Sequence, residues 1–422
     1  MTEPVLLTEP REGLPDVVTD SLGLSAAISA LANGTGPIAI DAERASGFRY
    51  GQRAYLIQLR RQGSGTWLID PINFSTLSPL RDAIASDEWI LHSSLQDLPC
   101  MRELDLIPTH LFDTELAARI LGRPKVGLAA LVESELGLIL EKGHSAADWS
   151  TRPLPDSWIR YAALDVEVLI ELRDLLYAEL IETGRWAWAE AEFAHIAALP
   201  MAEPRKDPWR RTSGMHRLRK PRQLAIIREL WTVREDVARE RDVSPGRIVN
   251  DDTLVAIATD PPATSADMHD LPGFRRRGAS RYVTRLWAAL QTALALPDED
   301  LPVHNPTSDG PPPPRIWRER DPQAAVRLAA CREEIIQIAE TLGMPAEVLI
   351  PPESVRQLAW RPPDEISVES VAELLAVHGA RAWQVSLVAE PLHAALCAEP
   401  ENLESTSPEP QEVAASDSAD AS

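Results

Sequence analysis

Strand and helix signals alternate over residues 20–195, and beyond them only helical spacing remains. That pattern predicts an α/β N-terminal domain, a mixed sheet with helices, followed by two all-α modules. Three observations carry it. Four short strand-like runs crowd into residues 37–92, too close together for an all-parallel sheet. After Asp97 the apolar residues fall mostly at helical spacing. Two helical blocks about a hundred residues apart then repeat one another.

The strand-like runs are residues 37–41, 54–60, 66–70 and 88–92, and their close succession suggests an antiparallel meander. Ile38 and Ile40 read as a buried strand with Asp41 and Glu43 at its end. Residues two apart on a strand face one side, so these carboxylates project together and repel unless a cation lies between them. Asp-x-Glu is too short a motif to mean anything alone. After the fourth run, His92-Ser93-Ser94 reads as a turn, and Asp97 falls in the first turn of a helix with Leu98 and Met101. An acid there also suits the helix dipole. Val166, Leu169, Ile170 and Leu172 predict one amphipathic helix over residues 157–176, with Pro155 and Asp156 as turn and cap. Tyr161 and Asp165 are one turn apart on it, so a phenol can hold a water beside a cation bound by the carboxylate.

Pro200 to Pro208 breaks the pattern and reads as a linker. The first helical block contains Ser244-Pro245-Gly246-Arg247-Ile248-Val249, then Leu254, Ala258, Pro261 and Pro262. The second contains Met344-Pro345-Ala346-Glu347-Val348-Leu349, then Val355, Ala359, Pro362 and Pro363. The offset is 100 at the first anchor and 101 at the second, and a long amphipathic helix precedes each. Between the blocks, residues 295–314 are Pro-rich and predict a semi-rigid spacer. Residues 399–422 carry seven acids, no Lys or Arg, and little to bury, which predicts a disordered acidic tail.

The chain has 422 residues and a net charge of −22. It contains no apolar run long enough to span a membrane, and its start lacks the basic and apolar segments of a signal peptide. Cys100, Cys331 and Cys397 lie far apart, which fits a reducing cytoplasm and disfavours a thiolate zinc site. The acidity conceals basic strips. Residues 205–222 hold Arg205, Lys206, Arg210, Arg211, Arg217, Arg219, Lys220 and Arg222 against one acid, Asp207. Arg275, Arg276, Arg277, Arg281 and Arg285 form a second cluster. Such a strip is either a solvated face or a phosphate grip, and the missing local acids favour the grip, above all at Arg210, Arg211, Arg219 and Lys220. Trp209 and His216 are placed to stack on bases. Trp231 and Trp287, among apolar neighbours, read as core, and His92 as a turn histidine that satisfies backbone groups.

Taken together, the Asp41/Glu43, Asp97 and Tyr161/Asp165 segments resemble, in order and spacing, the three motifs of the DEDD 3′-to-5′ exonucleases. Tyrosine at position 161 points to the DEDDy branch. Ala54-Tyr55-Leu56-Ile57-Gln58-Leu59, Phe112-Asp113-Thr114 and Asp148-Trp149-Ser150-Thr151-Arg152-Pro153-Leu154-Pro155 narrow the resemblance to the ribonuclease D family over residues 20–195. The first helical block, with Leu271-Pro272-Gly273-Phe274, resembles the HRDC domain, and the other block resembles a diverged copy of it. The resemblance implies a ribonuclease-H-like DEDDy 3′-to-5′ exonuclease domain at 1–200, an HRDC domain at 210–294 and a second HRDC-like domain at 315–398. It implies a cytoplasmic exoribonuclease that releases nucleoside 5′-monophosphates from the 3′ trailers of transfer RNA precursors or other structured small RNAs. Asp41, Glu43, Asp97 and Asp165 are expected to hold two divalent ions, Mg²⁺ or Mn²⁺, about 4 Å apart, with Tyr161 orienting the attacking water. Hard carboxylate oxygens suit those ions. A DNA exonuclease of the same chemistry and a non-catalytic RNA-binding adaptor are the alternatives. Matched RNA and DNA strands separate the first, and the intact five-residue set disfavours the second.

Overall fold

The computed structural model describes residues 4–141, 143–144, 146–275, 278–303 and 310–398. The predicted acidic tail, Arg276 and Arg277 lie outside them. The chain forms two compact units that divide between Thr307 and Ser308.

The first unit is built on a six-stranded mixed sheet. Its strands are β2 (Val17–Val18), β3 (Thr35–Arg44), β4 (Ala54–Gln62), β5 (Gly65–Ile69), β6 (Glu88–Leu91) and β7 (His110–Asp113), in the spatial order β2-β5-β4-β3-β6-β7. Three of the four expected runs form the antiparallel meander, β3, β4 and β5, whereas the fourth, β6, pairs parallel with β3 and carries β7 in parallel beyond it. A separate parallel pair joins β1 (Val5–Leu7) to β8 (Leu138–Leu140). Ile38, Ile40, Leu56, Ile57 and Leu59 are almost wholly buried, which makes β3 and β4 the centre of the core.

Among the described residues eight α-helices accompany the sheet: α1 (Ser21–Asn33), α2 (Ser78–Ile84), α3 (Leu98–Glu103), α4 (Thr114–Ile120), α5 (Leu128–Leu131), α6 (Asp156–Glu167), α7 (Leu169–Glu182) and α8 (Trp186–Ala198). The single helix expected over 157–176 is two, parted at Val168, whose φ and ψ are −101° and −9°. Val166, Glu167, Val168 and Leu169 are all buried, more than one face of a straight helix can bury. Glu167 reaches a buried ion pair with Arg60 at 3.2 Å. Asp156 is the first helical residue, behind Pro155, and makes no side-chain cap.

The same unit continues into a helical module: α9 (Pro221–Arg241), α10 (Pro245–Ile248), α11 (Asp251–Thr259), α12 (Ser265–His269) and α13 (Val283–Ala295). It packs on the β3–β4 loop. Ser244 N–H donates to Phe48 O at 3.0 Å, Arg247 Nε donates to Gly47 O at 2.9 Å, and the Arg247 guanidinium sits 4.1 Å over the Phe48 ring. Asp242 accepts from Tyr50 N–H at 3.3 Å.

The second unit comprises α14 (Trp317–Arg320), α15 (Pro322–Leu342), α16 (Ala346–Leu349), α17 (Pro352–Trp360), α18 (Val368–Val377) and α19 (Ala382–Cys397). Its α15, α16 and α17 begin 101 residues after α9, α10 and α11 and have matching lengths. The left-handed residues that end α9 and α15, Asp242 and Gly343, keep the same offset. The true register is therefore 101 throughout; the 100-residue match at the first anchor aligned prolines that hold different positions.

Candidate active site and metal centre

Asp41 and Glu43 lie two apart on β3, between β4 and β6. Asp165 and Tyr161 lie one turn apart on α6, which packs across β3, β4 and β5. Asp97 immediately precedes α3, at the end of the loop that leaves β6, rather than within the first turn of the helix. All five line one cavity of about 670 Å³. Within it, carboxylate oxygens of Asp41, Glu43 and Asp165 lie within 4.8 Å of one another. Asp97 stands apart from that trio, its Oδ1 3.4 Å from Arg44 Nη2.

The electrostatics follow from crowding acids in a poorly solvated place. Burial raises the carboxyls of Asp41 and Asp165 above their ordinary range. Glu43 is raised by burial and then by Asp41, Asp165 and Asp97. Burial, with Asp41 next, pushes Asp97 up to about 8 despite Arg44. Burial and Asp165 also raise the Tyr161 phenol, whose O–H donates to Asp165. Four carboxylates that resist ionisation together are a ready-made cation cage, and an all-oxygen donor set fits a hard divalent ion. The cluster thus supports divalent-metal use.

The family-like segments that carry none of the four acids turn out to hold those acids in place. Asp113 accepts hydrogen bonds from Ser93 N–H, Ser94 N–H, Ser94 Oγ–H, Glu115 N–H and Leu116 N–H, at 2.6–3.2 Å. It thereby fixes the loop that ends at Asp97, in which Ser93 adopts a left-handed conformation (φ 61°). Thr114 Oγ1 lies 2.9 Å from His92 Nδ1, so His92 answers a side chain rather than backbone groups; burial lowers its pKa, and its ring lines the cavity. Trp149 is fully buried and packs on Trp158 and Tyr161, with ring centroids 5.4 and 6.3 Å away, and so steers the phenol. Arg152 ties that segment to Asp70 (2.6 Å) and to Tyr55 O (2.7 Å).

Arg44 is the cavity-lining neighbour that sequence reasoning missed. Alternation along β3 turns it away from Glu43, yet it lines the cavity, at the point where the pairing slips by one residue on β4, Glu43 facing Leu56 and Arg44 facing Ala54. Gln58, opposite Asp41 on β4, is fully buried, and neither amide atom has a hydrogen-bond partner.

The basic strip is divided. Arg210 is committed internally: it pairs with Asp207 at 3.0 Å, stacks 4.2 Å over Trp209 and donates to Val303 O. Trp209 is not a stacking platform, being 4% exposed within the helical core with its Nε1 donating to Asp207. Arg217 pairs with Asp252, and Arg222 caps the end of α13 and pairs with Asp298. Arg211, Arg219, Lys220 and His216 are exposed. In the second cluster Arg285 pairs with Glu240. Trp231 and Trp287 are half-buried against the module's core rather than inside it.

The family described as 3′-5′ exonuclease matches residues 15–181, the HRDC domain matches 223–290, and a 3′ to 5′ exonuclease C-terminal domain matches 310–396. The Ribonuclease D of Zymomonas mobilis is 33% identical over 339 residues, covering 76% of this chain and 86% of that protein. The Ribonuclease D of Escherichia coli K12 is 29% identical over 370 residues, covering 84% and 92%. The crystal structure of a Bifidobacterium adolescentis protein superposes with a TM-score of 0.85 at 39% identity, over 93% of this chain and all of that one. The structure of Escherichia coli RNase D, described as an exoribonuclease involved in structured RNA processing, gives 0.66 at 28% identity, over 90% and 98%. Among the described residues no helix is long and apolar enough to cross a membrane. With family, fold and carboxylate cluster in agreement, the chain belongs to the ribonuclease D family and is a 3′-to-5′ exoribonuclease.

Proposed function

We propose that the chain trims RNA 3′ ends one nucleotide at a time, releasing nucleoside 5′-monophosphates, with two divalent ions, Mg²⁺ or Mn²⁺, held by Asp41, Glu43, Asp97 and Asp165. The observation that carries this reading is the meeting of Asp41, Glu43 and Asp165 oxygens within 4.8 Å, with Asp97 in the same cavity. Bound there, the ions supply Lewis-acid charge that acidifies water and neutralises charge on the leaving oxygen. The residues do the rest. Asp165 accepts from Tyr161 and so fixes the phenol at the site. Tyr161, kept protonated by its surroundings, orients a water by hydrogen bonding. Arg44 gives the cavity a fixed positive charge beside Asp97, suited to a scissile phosphate. The substrate we infer is the 3′ trailer of a transfer RNA precursor or another structured small RNA, acted on in the cytoplasm. The relation to the Escherichia coli enzyme of structured RNA processing supports this.

Incubation of a 3′-labelled RNA with Mg²⁺, Mn²⁺ or EDTA tests the reading. Labelled mononucleotide should appear at once with either ion and not with EDTA. A matched DNA strand run in parallel measures the preference between sugars.

A further inference from the structure

The second unit contains a recess of about 360 Å³ between the Arg315–Arg318 turn and α15. Its shape comes from residue spacing. Ala325 and Ala329 are i and i+4 on α15, so their small side chains leave a hollow along one face. Arg332, three residues further, closes one end of that face. Trp317 forms the opposite wall; it is fully buried, and its indole N–H donates to Pro312 O at 2.7 Å, so the wall is fixed. Arg315 and Arg318, three apart across the turn into α14, complete the rim.

Three arginines therefore surround one recess, and among the described residues no acid lines it. All three are exposed, and among the described residues none is joined to a carboxylate. Two other arginines of the unit are spent internally. Arg327 donates to Ala359 O and lies 3.8 Å from Asp321, and Arg356 donates to Pro311 O and pairs with Glu353. In a chain with 64 acidic against 42 basic residues, a recess ringed by three arginines with no ion pair among the described residues is not the average surface. Convergent planar forks match phosphate oxygens, and an apolar floor beside them suits a sugar or base. The volume is that of a small-ligand pocket.

We propose that Arg315, Arg318 and Arg332 form a phosphodiester-binding pocket through which the second helical unit grips the body of the RNA. The grip is independent of the exposed Arg211, Arg219 and Lys220 and raises the effective concentration of the 3′ end at the carboxylate cavity. It rests on the RNA substrate and not on the metal reading.

The test is equilibrium binding by the full chain in EDTA, where no cleavage competes. Fluorescence anisotropy of a labelled single-stranded RNA of about 30 nucleotides is read against salt for wild type and for the triple variant R315A/R318A/R332A. Three lost phosphate contacts should flatten the slope of log affinity against log salt by about 2, at about 0.7 per contact. The triple lysine variant should keep most of the slope but bind more weakly, because it keeps charge and loses the fork. Should the triple alanine variant fail to fold by circular dichroism, R315A alone should still flatten the slope by about 0.7. An unchanged slope in a folded variant overturns the proposal. So does an equal loss on a poly-glutamate chain, which would assign the recess to acidic protein partners.

Discussion

Replacing Asp97 by Asn in the metal-free protein should make it more stable, by an amount that depends on pH. The carboxyl of Asp97 moves from an ordinary 3.8 to about 8 in the folded chain, because burial and Asp41 oppose its charge more than Arg44 favours it. A raised folded value means a contribution that is fully present below pH 3.8 and is lost as pH rises towards about 8. Each unit is worth about 1.4 kcal/mol, so at pH 7 the cost approaches about 4 kcal/mol as an upper bound. Relaxation and water in the open cavity reduce it, and about 1–3 kcal/mol is the working figure. Asn removes the charge at nearly constant shape. Thermal unfolding of both proteins in EDTA should coincide near pH 4, diverge in favour of D97N through neutrality, and reach a constant gap above pH 8. The gap should be several degrees, since about 1 kcal/mol moves the midpoint of a domain this size by about 2–4 °C. Added Mg²⁺ or Mn²⁺ should then stabilise wild type more than D97N and narrow or reverse the order. If D97N is the less stable protein at pH 9 in EDTA, the Arg44 pair outweighs the repulsion and the electrostatic picture of the cleft is wrong.

The basic strip should behave as its contacts dictate: R211A/R219A/K220A flattens the salt dependence of RNA binding by about 2 log units per decade, whereas R210A mainly lowers the unfolding midpoint, because Arg210 is held by Asp207 and Trp209. Asp242 sits at φ 48° and accepts from Tyr50 N–H, so D242A should lose about 1–2 kcal/mol in thermal unfolding while D242G recovers the backbone part; equal losses in both would place the whole effect in the hydrogen bond. Gln58 has a buried amide without partners, so Q58M should hold or raise the unfolding midpoint of the metal-free protein, by up to about 1–3 kcal/mol, and a clear fall would show that the amide is bonded.

Much of this was legible because it rests on short-range periodicity. Alternation places Asp41 and Glu43 on one face, helical spacing joins Tyr161 to Asp165, and the meander shows in three of the four closely spaced runs. What escaped depends on departures from period or on distant packing. Arg44 lines the cavity beside a register shift between β3 and β4, and no spacing rule announces it. The break at Val168 hides in an apolar pattern that continues unbroken across it. Strands β2, β7 and β8 are two to four residues long, too short to alternate visibly. Trp209 and Arg210 read as surface in a basic run, yet the fold tucks the ring into a core and lays the guanidinium on it. Asp113 could be quoted as part of a motif, but beyond the local cap of α4 its three donors from Ser93 and Ser94 are brought to it only by the pairing of β6 and β7.

The central claim is that the Asp41, Glu43, Asp97 and Asp165 carboxylates act through divalent ions on an RNA 3′ end. It is tested most directly by single-turnover degradation of a 5′-labelled RNA by wild type and Asp165→Asn, each with Mg²⁺, Mn²⁺ and EDTA. Wild type with either ion should give a ladder that shortens from the 3′ end, and every other combination should leave the RNA intact while anisotropy still reports binding. A ladder from D165N at a rate near wild type, or from wild type in EDTA, would contradict the account.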